Sequence, residues 1–298
     1  MLSVDPKEIS TKQLHGYLLG AVAPRPICFA STVDASGRVN LAPYSFFNVF
    51  GSNPPIMIFS PARRVRDNTT KHTLENVLTT KEVVINIVSY AMVQQMSLSS
   101  TEYPQGVNEF IKAGFTEAPS EVVAPPRVAE APVQFECKVT EVIATGTDGG
   151  AGNLILAEVV RLHVKEAILD DAGGIDPQKI DTVARMGGNW YSRAKEGMFE
   201  VPKPLSTLGI GVDALPETIR TSAYLTGNDL GMLGNVEALP AAQAISTFKE
   251  TASESYQYLI TSGTNKEVHE EAQRLLGDGK VSEAWLLLMA AMKTNHSE

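Results

Sequence analysis

Between Ser60 and Thr73 the chain gathers Arg63, Arg64, Arg66 and Lys71, and residues 61–72 hold a single acid, Asp67. That is a local balance of +3 in a chain whose net charge is −9. Guanidinium and ammonium groups make charge-assisted hydrogen bonds to anionic oxygens, and Ser60 and Thr73 add hydroxyls at either edge. Leu74, Val77 and Leu78 then recur at helical spacing. A helix starting near Asp67 to Thr70 would aim free N–H groups and the positive end of its dipole at the same place. Two readings stand: a solvated basic loop leading into a helix, or a site for a phosphate.

Other stretches carry chemistry of a different kind. Arg25 is held between Pro24 and Pro26. Ala42 to Asn48 (APYSFFN) mixes aromatics with short hydrogen-bonding side chains. Arg185 to Arg193 reads RMGGNWYSR. Its paired glycines allow close backbone approach. Trp190 or Tyr191 could pack on a flat ring and Arg185 or Arg193 could meet a charged group, or the segment could simply seal one mouth of a barrel.

Composition removes several classes of function. An acidic chain with pI near 5.2 lacks the basic surface expected of a nucleic-acid binder. No apolar run approaches the roughly 20 residues of a membrane span, and the acidic, polar start MLSVDPKEIS lacks the parts of a secretory signal. A cytoplasmic location is therefore expected. His15, His72, His163, His269 and His296 form no HxxxH or HExxH pattern, so no metal cage is expected. Cys28 and Cys137 read as reduced core thiols.

The elements that must position these residues follow from periodicity. Ser10 caps an amphipathic helix over Leu14, Tyr17, Leu18 and Leu19, ending near Gly20. Ile27 to Val33 and Val39 to Leu41 are strands joined by the turn residues Asp34 to Gly37, with a polar loop after them. Ile56 to Ser60 and Glu82 to Val88 are further strands, the latter carrying Asn86, which should bond a neighbouring loop. Tyr90 to Ser100 is helical with Met92, Val93, Met96 and Leu98 inward, and Val107 to Gly114 is a short helix. Ala118 to Pro132 is an irregular, proline-rich loop. Val133 to Thr145 and Leu154 to Val164 make a long hairpin around the flexible turn GTDGGAG. This array predicts a closed or nearly closed antiparallel barrel with helices packed on it.

The remainder differs. Gly209-Ile210-Gly211-Val212-Asp213-Ala214 fits GxGxxA, but no long apolar strand precedes it and Pro216 follows where a helix should run, so it is not read as a dinucleotide fingerprint. Gly227 to Asn235 reads as ordered loop, and Pro240 to Ile260 and Lys266 to Lys293 read as helices.

The run from Pro24 to Ser60, with PRPI, STVD, NLAP, SFFN and the paired prolines Pro54-Pro55, resembles the flavin reductase-like family, the FMN-binding split barrels associated with flavoprotein oxygenases. The resemblance continues through Lys71 to Asn76, Val83 to Val88, Gly106 to Phe110, Pro125 to Val128 and RMGGNWYSR. It implies a mainly β fold with helices, an FMN-binding split β-barrel over residues 1–204, and leaves residues 205–298 as a loop and helical C-terminal extension. It implies FMN as cofactor. Ser60, Arg63, Arg64, Lys71 and Thr73 then suit the phosphate. Tyr44, Ser45, Phe46, Phe47 and Asn48 suit the ring, Tyr191 can pack on it, and Arg25 can serve the pyrimidine end or the substrate. The implied reaction is hydride transfer from NADH or NADPH to FMN, with electrons passed to oxygen, a small acceptor or a partner oxygenase. Positioning of two rings needs no acid–base dyad, so no catalytic residue is assigned. Similar split barrels are homodimers with FMN at the subunit interface, and a homodimer is expected. The alternative is a non-catalytic FMN-binding electron carrier or sensor. The pyridoxamine-phosphate oxidase type of split barrel fits SFFN and Lys71-His72-Thr73 less well.

Overall fold

The computed structural model describes residues 1–201 and 208–292. The chain divides into two units, Met1–Phe199 and Glu200–Glu298. The expected boundary between residues 204 and 205, the end of the last expected helix at Lys293, and His296 lie outside the described residues.

In the first unit, α1 (Thr11–Ala21) is capped by Ser10, whose hydroxyl accepts from Gln13 N. The strands β1 (Cys28–Val33), β2 (Val39–Tyr44), β3 (Phe47–Ser52) and β4 (Pro55–Phe59) come next, then α2 (His72–Thr80) and β5 (Glu82–Ile87). Helices α3 (Val93–Leu98) and α4 (Glu109–Ala113) precede a short ribbon, β6 (Glu117–Ala118) with β7 (Arg127–Val128). The long hairpin is β8 (Val133–Ala144) and β9 (Asn153–Val164). After α5 (Pro177–Ile180), β10 (Val183–Arg185) and β11 (Tyr191–Arg193) close the unit as a small hairpin.

Seven strands form one antiparallel sheet in the order β2-β1-β5-β8-β9-β4-β3. Its two end strands, β2 and β3, are consecutive in the chain yet share no ladder, which is the split of a split barrel. β3 corrects the sequence reading, which has a loop there. Phe47 to Val49 pair with Phe59 to Met57, then a bulge leads to Gly51. Asn48, Val49 and Phe50 on this end strand face outward and exposed, so no apolar alternation marks it.

β1 is buried at every position because both faces are covered. Cys28 and Ala30 point into the barrel core with Tyr44, Phe59, Leu74 and Val77. Ile27 and Phe29 point the other way, under Met92, Met96 and Phe110. Burial pushes both cysteine thiols up, so each is an inert core residue. Asn86 donates to Phe29 O (2.9 Å) and accepts from Val128 N (2.9 Å), tying β5 to the β7 loop as expected. Leu98, expected inward, is exposed because α3 ends there after less than two turns.

The second unit is helical, with α6 (Glu217–Arg220), α7 (Gly227–Gly234), α8 (Ala242–Thr251), α9 (Glu254–Thr261), α10 (Asn265–Gly277) and α11 (Val281–Ala291). Leu233, Leu275, Leu276, Ala284, Trp285 and Leu287 centre its core. Trp285 Nε1 donates to Leu233 O at 3.1 Å. α7 replaces the expected loop. Its glycines lower helix propensity, but Thr226 and Asp229 close a capping box at its start. The stretch 240–260 is two helices, because Ser253 caps a new one. Gly211 sits at φ 82 and Val212–Ala214 is one turn of 3₁₀ helix, so GxGxxA has no dinucleotide-binding context. Among the described residues no helix is long and apolar enough to cross a membrane, and no cluster of His, Cys, Asp and Glu could hold a metal ion.

Candidate functional site

The candidate site is a groove along the outer side of β2. At one end it is lined by Asn40, Ala42, Pro43, Arg64, Lys71 and His72, with Ser99 to Tyr103 and Glu109 opposite. It continues past Pro43, Tyr44 and Ser100 to a mixed end, where Ile27, Met96 and Tyr191 stand beside Ser45, Ser97 and Arg185. Ser97 and Tyr191 also border a further, mainly apolar pocket that reaches Tyr90, Val93, Gln94 and Arg193. The walls come from the end strand β2, the start of α2, the end of α3 with the turn after it, Glu109 of α4 and the β10–β11 hairpin.

Lys71 defines the polar end. It is the N-cap residue of α2 and gives the helix no side-chain cap; Leu74 N donates to Lys71 O (2.9 Å), and the N–H groups of His72 and Thr73 are left for another acceptor. The helix thus begins at His72, later than the residues 67–70 expected. The Lys71 ammonium lies 5.7 Å from the centre of the Tyr44 ring and has no hydrogen-bonded or acidic partner among the described residues. Burial, then the charge of Arg64, hold its pKa below the ordinary lysine value. Beneath it, Thr73 Oγ1 accepts from Tyr44 Oη (2.8 Å) and Asn40 Nδ2 (2.9 Å). Thr73 is therefore the buried joint between α2 and β2 rather than an exposed hydroxyl. Burial pushes the Tyr44 phenol up, so it stays protonated and keeps donating.

The neighbouring arginines are engaged. Arg63 donates to Asn68 Oδ1 and Asn68 O, both at 2.6 Å. Arg64 pairs with Glu102 (3.1 Å) and donates to Thr69 Oγ1 (3.0 Å) and to Thr70 O. Arg66 pairs with Asp67 (3.0 Å) and Glu102 (3.1 Å). The turn between β8 and β9 clasps this loop, with Arg63 N donating to Ala151 O (2.8 Å) and Gly150 N to Arg63 O (3.0 Å). It can approach so closely because a Cβ on Gly149 would stand 3.1 Å from Val65 Cα, and Gly150 sits at φ +97. Ser60 is buried, and its hydroxyl accepts from Asn153 N at 3.0 Å.

At the mixed end, Tyr191 is half-buried and Arg185 Cζ lies 4.7 Å from the centre of its ring. Arg25 is almost fully buried. Its guanidinium donates to Leu19 O (2.7 Å) and Val22 O (2.5 Å) at the end of α1, to Met186 O (3.0 Å), and to Ser45 Oγ (3.4 Å). Arg25 therefore fastens α1 and the β10–β11 hairpin to the end of β2, and these donors are not available to a ligand.

Of the residues singled out from sequence, this groove brings together Tyr44, Ser45, Arg64, Lys71, Thr73 and Tyr191. Phe46, Phe47 and Asn48 are not among its lining. Phe47 packs against the barrel core, Asn48 is exposed, and Phe46 lies edge-on to His15 of α1 at 6.3 Å. Ser60 and Arg63 serve the loop and the β8–β9 turn. Sequence reasoning missed Ile27, Met96 and the run Ser97-Leu98-Ser99-Ser100-Thr101, four of whose five residues carry hydroxyls. That density of hydroxyls was a signal, but nothing in it tells that α3 ends beside β2.

Residues 20–177 match the model of the flavin reductase-like domain. The chain belongs to the flavin reductase-like family. An uncharacterized protein of Aquifex aeolicus is 39% identical over 188 residues, 63% of this chain and 93% of that one. Among solved structures, nitrilotriacetate monooxygenase component B from Bacillus cereus is 32% identical with a TM-score of 0.64, covering 67% of this chain and 98% of that one. Flavoredoxin of Desulfovibrio vulgaris (Miyazaki F) is 25% identical with a TM-score of 0.53, over 62% of this chain and 93% of that one. The family match lies within the first unit, which is a flavin reductase-like split barrel of oxidoreductase type. The helical unit lies beyond it.

Proposed function

We propose that this flavin reductase-like chain is an FMN-dependent oxidoreductase that accepts electrons from NADH or NADPH and passes them to oxygen, a small acceptor or a partner oxygenase. The observation that carries this reading is Lys71: a cation without a partner among the described residues, at a helix N-terminus with no side-chain cap, in a groove whose other end sets Ile27, Met96 and Tyr191 beside serines and Arg185. A ligand with a phosphate at one end and a flat ring at the other fits that polarity. Lys71, the first turn of α2 and Arg64 would hold the phosphate. The hydroxyls of Ser97 and Ser100 and the backbone of Pro43 to Ser45 would follow the linker, and Met96, Ile27 and Tyr191 would flank the ring. Bound there, FMN supplies two-electron chemistry that no side chain of this site can.

A homodimer belongs to the same proposal. α1 buries none of its residues within the described chain and, with Val22 after it, exposes Tyr17 and Leu18; β3 exposes Val49 and Phe50, and Phe46 just before β3 lies edge-on to His15 of α1. Apolar residues so grouped favour a protein partner. A second copy docked on this face would bring Phe46 to Asn48 toward its partner's groove.

The test is the absorbance spectrum of the purified protein with FMN added, followed by anaerobic NADH and NADPH. Flavin bands that bleach with one nucleotide support a reductase. Bands that persist with both and bleach with dithionite turn the reading to a carrier. Absence of FMN uptake removes it.

A further inference from the structure

Arg25 and Arg185 face each other across an antiparallel bridge, exchanging Arg25 N to Arg185 O (2.9 Å) and Arg185 N to Arg25 O (2.8 Å). Residues directly opposed in such a pair project to the same side, and like charges there repel. Burial and the charge of Arg185 both lower the Arg25 pKa, so the repulsion is felt. The fold answers it for one partner only. Arg25 turns to the carbonyls that end α1, where the helix dipole is negative. The Arg185 guanidinium turns to the groove, lies on Tyr191, and has no hydrogen bond or ion pair among the described residues. The nearby acid Asp181 is already taken by Arg193 (2.7 Å) and Lys195 (3.3 Å).

We infer that Arg185 binds a negative charge carried on, or against, the flat ring at the Tyr191 end of the groove. A half-buried guanidinium whose side-chain donors take no partner among the described residues is left to bind an anion that a ligand supplies. Its planar fork suits a carboxylate or the N–C=O edge of a ring. Stacking on Tyr191 fixes that fork before the ligand arrives. Two sources share this chemistry: the pyrimidine edge of the reduced flavin, and the carboxylate of an aromatic second substrate. The inference rests on the FMN reading of the groove.

The experiment uses the full chain saturated with FMN, as wild type, Arg185→Gln and Arg185→Lys. One arm measures the two-electron midpoint potential by dye equilibration. The other titrates benzoate, and benzamide as its uncharged control, against the flavin absorbance. If the charge is the flavin's own, Arg185→Gln disfavours the reduced form about tenfold, roughly 30 mV for two electrons, and Arg185→Lys restores most of it. If the charge belongs to the second ligand, Arg185→Gln weakens benzoate about tenfold and leaves benzamide and the potential unchanged. Variants that bind FMN and match wild type in both arms overturn the inference alone, and the lysine variant decides the matter should the glutamine variant not fold. A wild type that takes up no FMN overturns the FMN reading and this inference together.

Discussion

Arg63, Arg64 and Arg66 sit in one short loop, and the fold supplies each with a partner: Asn68 for Arg63, Glu102 and the Thr69–Thr70 segment for Arg64, Asp67 and Glu102 for Arg66. Lys71 and Arg185 come from opposite ends of the same unit, stand in one groove, and have none among the described residues. Sequence makes the loop look like the anion site because its charges are adjacent. The structure shows that adjacency is a poor guide. Guanidiniums within a few residues of Asp67 and Asn68 satisfy themselves locally, whereas a cation at a helix start with no side-chain cap or on an aromatic ring keeps its charge for a ligand.

The strongest test of that contrast is Lys71→Met. A charge-assisted hydrogen bond contributes about 1.5–3 kcal/mol, so the FMN dissociation constant should rise roughly 10–100-fold, read by quenching of FMN fluorescence. A change under about twofold would erase the distinction between free and partnered cations. The same residue gives a pH signature. Its pKa is held down by burial, so the charged form that binds phosphate is complete at low pH and is lost as pH rises, beginning below the ordinary lysine range. The Lys71→Met protein should lack this alkaline limb.

Thr73→Val probes the support beneath Lys71. It strands the Tyr44 hydroxyl and the Asn40 amide in a buried place, which costs about 1–3 kcal/mol and should show as a lower unfolding midpoint. An unchanged midpoint would mean that Thr73 is no joint at all.

Glu136 offers the acidic counterpart of Arg64, a charge whose partners the fold itself provides. It is buried, and burial raises its pKa. Donation from Glu121 N (2.8 Å), Val122 N (2.7 Å) and His163 Nε2 (2.7 Å) outweighs that and leaves the carboxyl below its ordinary value. A lowered folded-state pKa means the stabilisation is present above the unfolded value and lost as pH falls through the folded one. Wild type should lose stability across that acid window, and Glu136→Gln should be less stable at neutral pH with a flatter acid limb in denaturant unfolding. Equal slopes would show that this carboxylate is not held by the 121–123 loop.

The smallest effect is expected from Arg66→Gln. Arg66 is exposed and shares Asp67 and Glu102 with solvent, so FMN affinity should change by less than about twofold and the unfolding midpoint should stay where it is. A loss as large as that of Lys71→Met would return the anion site to the loop.

What the sequence determined by itself is the barrel and its family. Period-two alternation in Val133 to Val139, turn chemistry at Asp34 to Gly37 and the apolar run Ile56 to Phe59 are local signals, and local backbone preference is enough to read them. The motifs PRPI, STVD and NLAP name the family for the same reason: they are contiguous. What only the tertiary structure decided is which polar groups have anything left to give. Arg25 and Arg185 are of one type in the sequence, yet the packing of α1, the β10–β11 turn and Ser45 gives the first guanidinium four acceptors and the second none among the described residues. β3 was hidden because an exposed end strand buries no alternating face, and α7 because its cap is needed to offset its glycines. The groove joins β2, the start of α2, the end of α3 and β10–β11, segments spread from residue 40 to residue 191. Hydrogen-bond satisfaction is settled between such segments, and no window of sequence contains it.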